Sequence, residues 1–279
     1  MASTIRWFSS ACMIAGCSQA LKIQANKMKI TVLGSGTSTG VPQVGCTCQV
    51  CLSSDARDKR LRCSSLFETD TTRVLLDCSP DFREQSLHIS YQKIDGILVT
   101  HEHYDHVGGI DDLRPFCRFG DIDIFGEADV NQKLRERLPY CFRENLYPGV
   151  PKINLRDIEP GKSFKIGDIQ ITPIRVMHGK LPIVGYRLNN VVYITDMTTF
   201  PEEGWPIIRG CDVLLENALR YEAHPSHQTV SDAIQFAEKL GCPRTYLIHM
   251  CHSIGLHAQV DGDLPSYMHL TFDGMTIEA

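Results

Sequence analysis

The stretch VTHEHYDHVGG, residues 99–109, puts three histidines and two acids within six positions, directly after the apolar run GILV. In a chain with 11 histidines among 279 residues, a polar surface loop explains the polarity but not that density of imidazole. His101, His103, Asp105 and His106 spell H-x-H-x-D-H. DGILVT (95–100) reads as a buried strand, and at the end of an extended segment a spacing of two sends His101 and His103 to the same side. Asp105 and His106 then fall in a turn, and Gly108–Gly109 lets the chain bend sharply into a helix. Imidazole and carboxylate are ligands that suit zinc, manganese or iron. Four donors exceed what one open catalytic metal needs, so they divide better between two ions, with distant residues completing each.

Three residues further along fit that need. His178 in IRVMHG, Asp196 in VVYITDM and His249 in TYLIHM each follow an apolar strand. Alone, a histidine after a strand is ordinarily a loop residue and an aspartate a helix cap; the three together, in chain order at strand ends, point to one site. A second cluster, GCTCQVC (45–51), spaces Cys46, Cys48 and Cys51 as C-x-C-x-x-C. Three thiolates can hold zinc at about 2.3 Å each, and a closed site needs a fourth ligand. His252 in HMCH, three residues beyond His249, is the best candidate, with Cys63 and Cys251 as spare thiols. Of 12 cysteines, these are clustered beside histidines rather than spaced as a disulfide framework. That pattern reads as metal binding in a reducing compartment, the cytoplasm.

Composition narrows the class. Hydrophobic content of 43% and charged content of 22% belong to a globular domain. A net charge of -5 offers no broadly basic surface for gripping nucleic acid, so no stable nucleic-acid binding is expected. No run of about 18 apolar residues is available to span a bilayer. Residues 1–27 contain no Asp or Glu and admit three readings: an extension upstream of a start at Met28, a lipoprotein-type signal with IAGC ending at Cys17, or an organellar presequence. From residue 28 to 279 short strands alternate with loops and a few helices. MKITVLG opens as a strand, SSLFETD and RVLLDCS form a hairpin near Thr71–Thr72, and Asn189–Asn190 suits a tight turn. Val130–Leu138 reads as a helix. So does TVSDAIQFAEKLG, capped by Thr229 with Asp232 and ended by Gly241. One domain of two sheets with helices outside is the simplest architecture.

The strand, the H-x-H-x-D-H and the Gly-Gly resemble the metallo-β-lactamase superfamily. That resemblance implies an α/β (α+β) chain folded as an αββα sandwich of two mixed sheets. GSGTSTGVPQVGCTCQVC (34–51), HEHYDHVGG, SHQTVSDA (226–233) and HMCH together resemble the phosphoribosyl cyclic phosphate phosphodiesterases of the carbon–phosphorus lyase pathway, over nearly all of residues 28–279. The resemblance implies two catalytic divalent metals, zinc or manganese. His101, His103 and His178 would hold one, Asp105, His106 and His249 the other, with Asp196 between them. It places a structural zinc on Cys46, Cys48, Cys51 and His252, an active-site histidine at His227, and Asp77 behind a metal-binding histidine. A hydroxide bridging ions about 3.5–4 Å apart would attack a small phosphodiester such as phosphoribosyl 1,2-cyclic phosphate. Asp105 and His227 are the catalytic candidates. His227 would serve as general acid or stabilise developing charge, and N–H groups of the following helix would receive a phosphate oxygen. The family also suggests a homodimer. Two other functions share parts of the pattern. A tRNA 3′-processing endonuclease of the same superfamily is disfavoured by the cysteine cluster and acidic balance. A non-catalytic zinc protein, or an accessory factor of cofactor synthesis, is disfavoured by the full set of seven ligands.

Overall fold

Alternating burial along the strands fixes the layers. In IQITPIRVMH (169–178) the alternation changes phase at Pro173–Ile174, so Ile169 and Ile171 face one core and Ile174 and Val176 another. The computed structural model describes residues 27–143, 145 and 147–279; the expected N-terminal extension or targeting segment lies, but for Lys27, outside the described residues. Strands β1 (Lys29–Gly34), β2 (Ser64–Glu68), β3 (Arg73–Leu76), β4 (Gly96–Leu98), β5 (Ile122–Gly126) and β6 (Ile153–Asp157) belong to one sheet. Strands β7 (Phe164–Ile166), β8 (Ile169–His178), β9 (Leu181–Leu188), β10 (Val191–Ile194), β11 (Val213–Asn217), β12 (Thr245–Ile248) and β13 (Met268–Leu270) form the second. The chain then returns β14 (Thr276–Glu278) to the outer edge of the first sheet beside β1.

Between the sheets lies a core that includes Ile30, Val32, Phe67, Leu98, Tyr186, Tyr193 and Leu215, each at most 1% exposed. Outside the first sheet pack α1 (Phe82–Ser86), α2 (Tyr104–Val107), a 3-10 segment over Ile110–Phe119 and α3 (Ala128–Arg137). Outside the second pack α4 (Trp205–Ile208), α5 (Val230–Leu240) and α6 (His257–Asp263). The order helix, sheet, sheet, helix is the αββα sandwich. Helix α5 starts as its sequence dictates: Thr229 Oγ1 accepts from Asp232 N at 3.1 Å and Asp232 Oδ2 accepts from Thr229 N at 3.0 Å. It ends on Gly241 in the left-handed region, φ 70°.

β3 to β6 run parallel, as do β10 to β13. Their carboxyl ends, with that of β8, meet along one edge of the sandwich, where ligands of such sheets commonly bind. Three local features differ from the sequence reading. β6, α1, α4 and α6 are additional elements. Asp105 and His106 already lie within a helix, the single turn of α2, rather than in a turn ahead of one. The glycines after them are not in the left-handed region, with φ −65° at Gly108 and −93° at Gly109. What Gly109 supplies is close approach, since a Cβ there would stand 2.0 Å from the Ser79 carbonyl oxygen. The loop after β3 therefore packs directly onto the turn that carries His106.

Candidate metal centre

Seven side chains from both sheets converge at that edge. His101, His103, His178 and Asp196 place one donor atom each within 4.8 Å of one another, and so do Asp105, His106, Asp196 and His249. Asp196 belongs to both groups. His106 Nε2 lies 3.2 Å from Asp105 Oδ2 and 3.4 Å from Asp196 Oδ1. His249 Nε2 lies 3.4 Å and 3.1 Å from the same two oxygens, and His101 Nε2 is 3.8 Å from Asp196 Oδ2. His101 and His106 are essentially sealed from solvent, whereas His103 is exposed. The cluster is thus a cleft with a buried floor and an open lip.

The backbone that aims these groups is unusual. Asp77, Asp196 and His249 follow β3, β10 and β12, and all three adopt left-handed backbone, φ 56°, 56° and 58°. For residues with a Cβ this costs roughly 1–2 kcal/mol each. The cost is held by local hydrogen bonds. Thr195 Oγ1 donates to Asp196 Oδ1 at 2.7 Å. Asn217, at the end of β11, brackets the next residue, accepting from Met197 N at 2.7 Å and donating to its carbonyl at 3.0 Å.

A further layer orients the rings. Asp77 Oδ2 lies 2.7 Å from His106 Nδ1, and its carboxylate also accepts from Thr100 N and Oγ1 at 2.9 Å. Thr100 Oγ1 sits 3.0 Å from His101 Nδ1. His178 Nδ1 faces the Ser226 carbonyl at 2.7 Å. The second sheet braces the H-x-H segment directly, through Tyr186 Oη to the Val99 carbonyl at 2.6 Å and Val184 N to the Thr100 carbonyl at 3.1 Å. On the open side Glu102 is salt-bridged to Lys133 of α3. Asp77 was legible as a supporting residue. Thr100, Thr195 and Ser226 were not singled out, although each threonine directly precedes a strand-end donor in the sequence.

The electrostatics ask for cations. Burial pulls the His106 imidazolium down, but Asp196, Asp105 and Asp77 around it override burial and raise its pKa well above the usual value. Burial pushes Asp105 and Asp196 up, yet the neighbouring histidines hold both carboxyls well below the ordinary range. His101, buried and next to His106, is held neutral. The Nε2 atom of His101 is buried without a hydrogen-bond partner, an arrangement costing roughly 1–3 kcal/mol, and that of His106 faces only the carboxylates of Asp105 and Asp196. Divalent cations would satisfy those nitrogens and supply the positive charge that a proton on His106 otherwise provides, so the donor set fits them.

His227 lies against this cluster, its ring centroid 4.8 Å from that of His178 and 5.0 Å from that of His249. Its Nδ1 is buried without a partner. Burial, then the proximity of His249, lowers its pKa to about 3, so the ring is neutral at physiological pH. The helix behind it is less available than its sequence suggested. Gln228 N donates to the Met197 carbonyl, Val230 N to the Arg220 carbonyl, and the N–H groups of Thr229 and Asp232 close the capping box.

The cysteine loop closes on a second centre. Cys46, Cys48, Cys51 and His252 place their donor atoms within 4.8 Å of one another, with His252 Nδ1 3.2 Å from Cys46 Sγ and 3.3 Å from Cys48 Sγ. The loop reaches His252 because Ser35 and Thr37 pair with Met250, through Met250 N to the Ser35 carbonyl at 3.0 Å and Thr37 N to the Met250 carbonyl at 3.1 Å. The Cys51 N–H and His252 lower the Cys48 thiol to about 6, while burial raises Cys51 to about 11. Cys63 takes no part: it is buried against Tyr193 Oη at 3.3 Å.

Comparison with known proteins gives the geometry a context. The β-lactamase superfamily domain matches residues 72–250. A crystal structure of a diphosphatase from the PhnP family superposes with a TM-score of 0.84 and 36% identity, covering 91% of this chain and 97% of that one. An octanoyltransferase of Porphyromonas gingivalis is 45% identical over 250 residues, 89% of this chain. The chain spans only 51% of that relative's length. The coenzyme PQQ synthesis protein B of Methylorubrum extorquens is 32% identical, covering 67% of this chain and 72% of its own. Among the described residues no helix is long and apolar enough to cross a membrane.

Proposed function

The chain belongs to the metallo-β-lactamase superfamily, a fold family of mostly hydrolases, and from that membership we propose that it hydrolyses a small phosphodiester, most simply a cyclic one such as phosphoribosyl 1,2-cyclic phosphate. The observation that carries this reading is the pair of donor groups sharing Asp196. His101, His103 and His178 would hold one divalent metal, zinc or manganese, and Asp105, His106 and His249 the other, with Asp196 available to both groups. When bound, such ions supply Lewis acidity toward phosphoryl oxygens and acidify a water molecule toward neutral pH.

The rest falls to the protein. Asp77 and the Ser226 carbonyl hold the rings of His106 and His178 in one orientation through their second nitrogens. Asp105 keeps its charge and faces both His106 and His249. His227, neutral and beside His178 and His249, donates an N–H to a phosphoryl or leaving oxygen as charge builds there. Cys46, Cys48, Cys51 and His252 would hold a structural zinc, which would pin the segment after β1 next to the strand end carrying His249.

A diphosphate linkage is the second reading, favoured by the likeness to the PhnP-family diphosphatase. Octanoyl transfer is the named activity of a relative of whose length this chain spans only 51%. Imidazoles and carboxylates around a cation pair suit attack by water better than passage of an acyl group between thiols. To test the reading, metal per chain and hydrolysis of bis-p-nitrophenyl phosphate, a ribose cyclic phosphate and a nucleotide-sugar diphosphate are measured for wild type and Asp196→Ala. Metal-dependent cleavage of the diesters, lost in Asp196→Ala, is expected. Cleavage of the diphosphate alone selects the second reading, and a metal-loaded protein inert toward all three overturns both.

A further inference from the structure

At the end of the second sheet opposite the metal cluster, two thiols meet. Cys211 precedes β11 and Cys242 precedes β12, and their sulfurs are 3.5 Å apart. The strands are parallel neighbours with Leu214 opposite Thr245; counting back three residues on each sets Cys211 opposite Cys242. Adjacent strands run about 4.8 Å apart, within the Cα spacing a disulfide spans. The pair packs in the outer core with Leu214 and Phe236, yet each cysteine is flanked on both sides by exposed residues, Gly210 and Asp212, Gly241 and Pro243. It lies one side chain below the surface. Among the described residues it belongs to no group of three or more donors that could hold a metal. The two thiols are also unequal. The Cys211 S–H donates to Cys242, and with the Arg244 backbone it outweighs burial and lowers Cys242 to about 7, while Cys211 is raised.

We propose that Cys211 and Cys242 are a reversible dithiol–disulfide pair that ties together the roots of β11 and β12. The Cys242 thiolate attacks one sulfur of a small disulfide, forming a mixed disulfide and expelling one thiolate. Cys211 gives its proton to that thiolate and attacks the Cys242 sulfur, forming the Cys211–Cys242 bond and expelling the second thiolate. Two electrons pass to the small disulfide, which leaves as one thiol and one thiolate, the latter taking from solvent the proton that Cys242 released on ionising. The strands so tied are those whose far ends carry Asn217, bracketing Met197, and lead into His249. The inference is independent of the reaction proposed for the metal cluster.

The test is peptide mapping of the folded, metal-loaded protein after exposure to oxidised glutathione at neutral pH, with free thiols blocked before digestion. A peptide joining Cys211 to Cys242, lost on reduction with dithiothreitol, is expected, together with a higher melting temperature that the same reduction reverses. In Cys211→Ala the cross-link disappears and Cys242 retains a glutathione adduct. Recovery of both cysteines as blocked thiols in the wild type, or of a lasting adduct on Cys242 with no cross-link, overturns the proposal.

Discussion

Asp77 and Asp196 end strands in opposite sheets with the same left-handed backbone, φ 56°, and grip one ring from its two sides. Asp77 Oδ2 holds His106 Nδ1 at 2.7 Å, and Asp196 Oδ1 approaches His106 Nε2 at 3.4 Å. His106 is therefore where the two halves of the sandwich meet electrostatically.

Replacing Asp77 by Asn keeps the size of the side chain and tolerates the left-handed backbone, but removes the charge behind His106. Metal affinity is expected to fall about 10–100-fold, read by chelator competition, while the circular dichroism spectrum stays native. Unchanged affinity would show that Asp77 serves only the hydrogen bonds to Thr100.

His227→Gln removes an imidazole N–H from beside His178 and His249 without touching a proposed ligand. kcat toward bis-p-nitrophenyl phosphate should drop on the order of 10²–10³-fold, with metal per chain unchanged. A loss of metal in this variant would reassign His227 to the donor set.

In the cysteine loop, Cys46→Ser should remove one zinc per chain and leave the catalytic pair loaded, as counted by atomic emission. Its melting temperature should fall below that of the wild type, because a metal bound only by the folded chain stabilises it by mass action. Loss of every metal at once would mean that the loop is required for the whole edge to form.

Asp273, outside the proposed ligand sets, yields a further pH effect. Its carboxylate accepts from Ser35 N and Oγ at 2.8 Å and from Leu61 N at 2.7 Å, yet burial raises its pKa to about 6. The folded state therefore binds the proton more tightly than the unfolded chain, and stability falls as pH rises from about 4 to about 6, then levels off. Between those limits the metal-free wild type should lose up to about 3 kcal/mol relative to Asp273→Asn, less what solvent screens. Urea unfolding of both proteins across that window checks it, and a pH-independent difference would contradict it.

Much of this edge could be read before any coordinates. His101, His178, Asp196 and His249 announce themselves because each follows an apolar strand, and strand ends on one edge must meet; His103, Asp105 and His106 are marked instead by the spacing of the H-x-H-x-D-H motif. Helix α5 was equally plain, since its cap and its terminal glycine are local signals. What escaped is what has no side-chain signature. The Ser226 carbonyl that faces His178 is backbone, and any residue could have supplied it. The left-handed turns at Asp77, Asp196 and His249 use Asp and His where sequence convention looks for Gly or Asn. At Gly109 the sequence marks the glycine but not its reason, because the Ser79 carbonyl it admits lies 30 positions earlier. β6 was missed because INLRD carries too few apolar residues to stand out.

His249 and Asp105, 3.4 Å apart in space, are separated by 144 positions in the chain. During synthesis the first group of donors leaves the ribosome long before the last. A nascent chain halted short of residue 249 would carry Asp105, His106 and Asp196 without the fourth donor of their group. Maturation of the cleft is therefore expected to be a late, nearly all-or-none event, and metal supplied early in translation should find only loose, exchangeable binding.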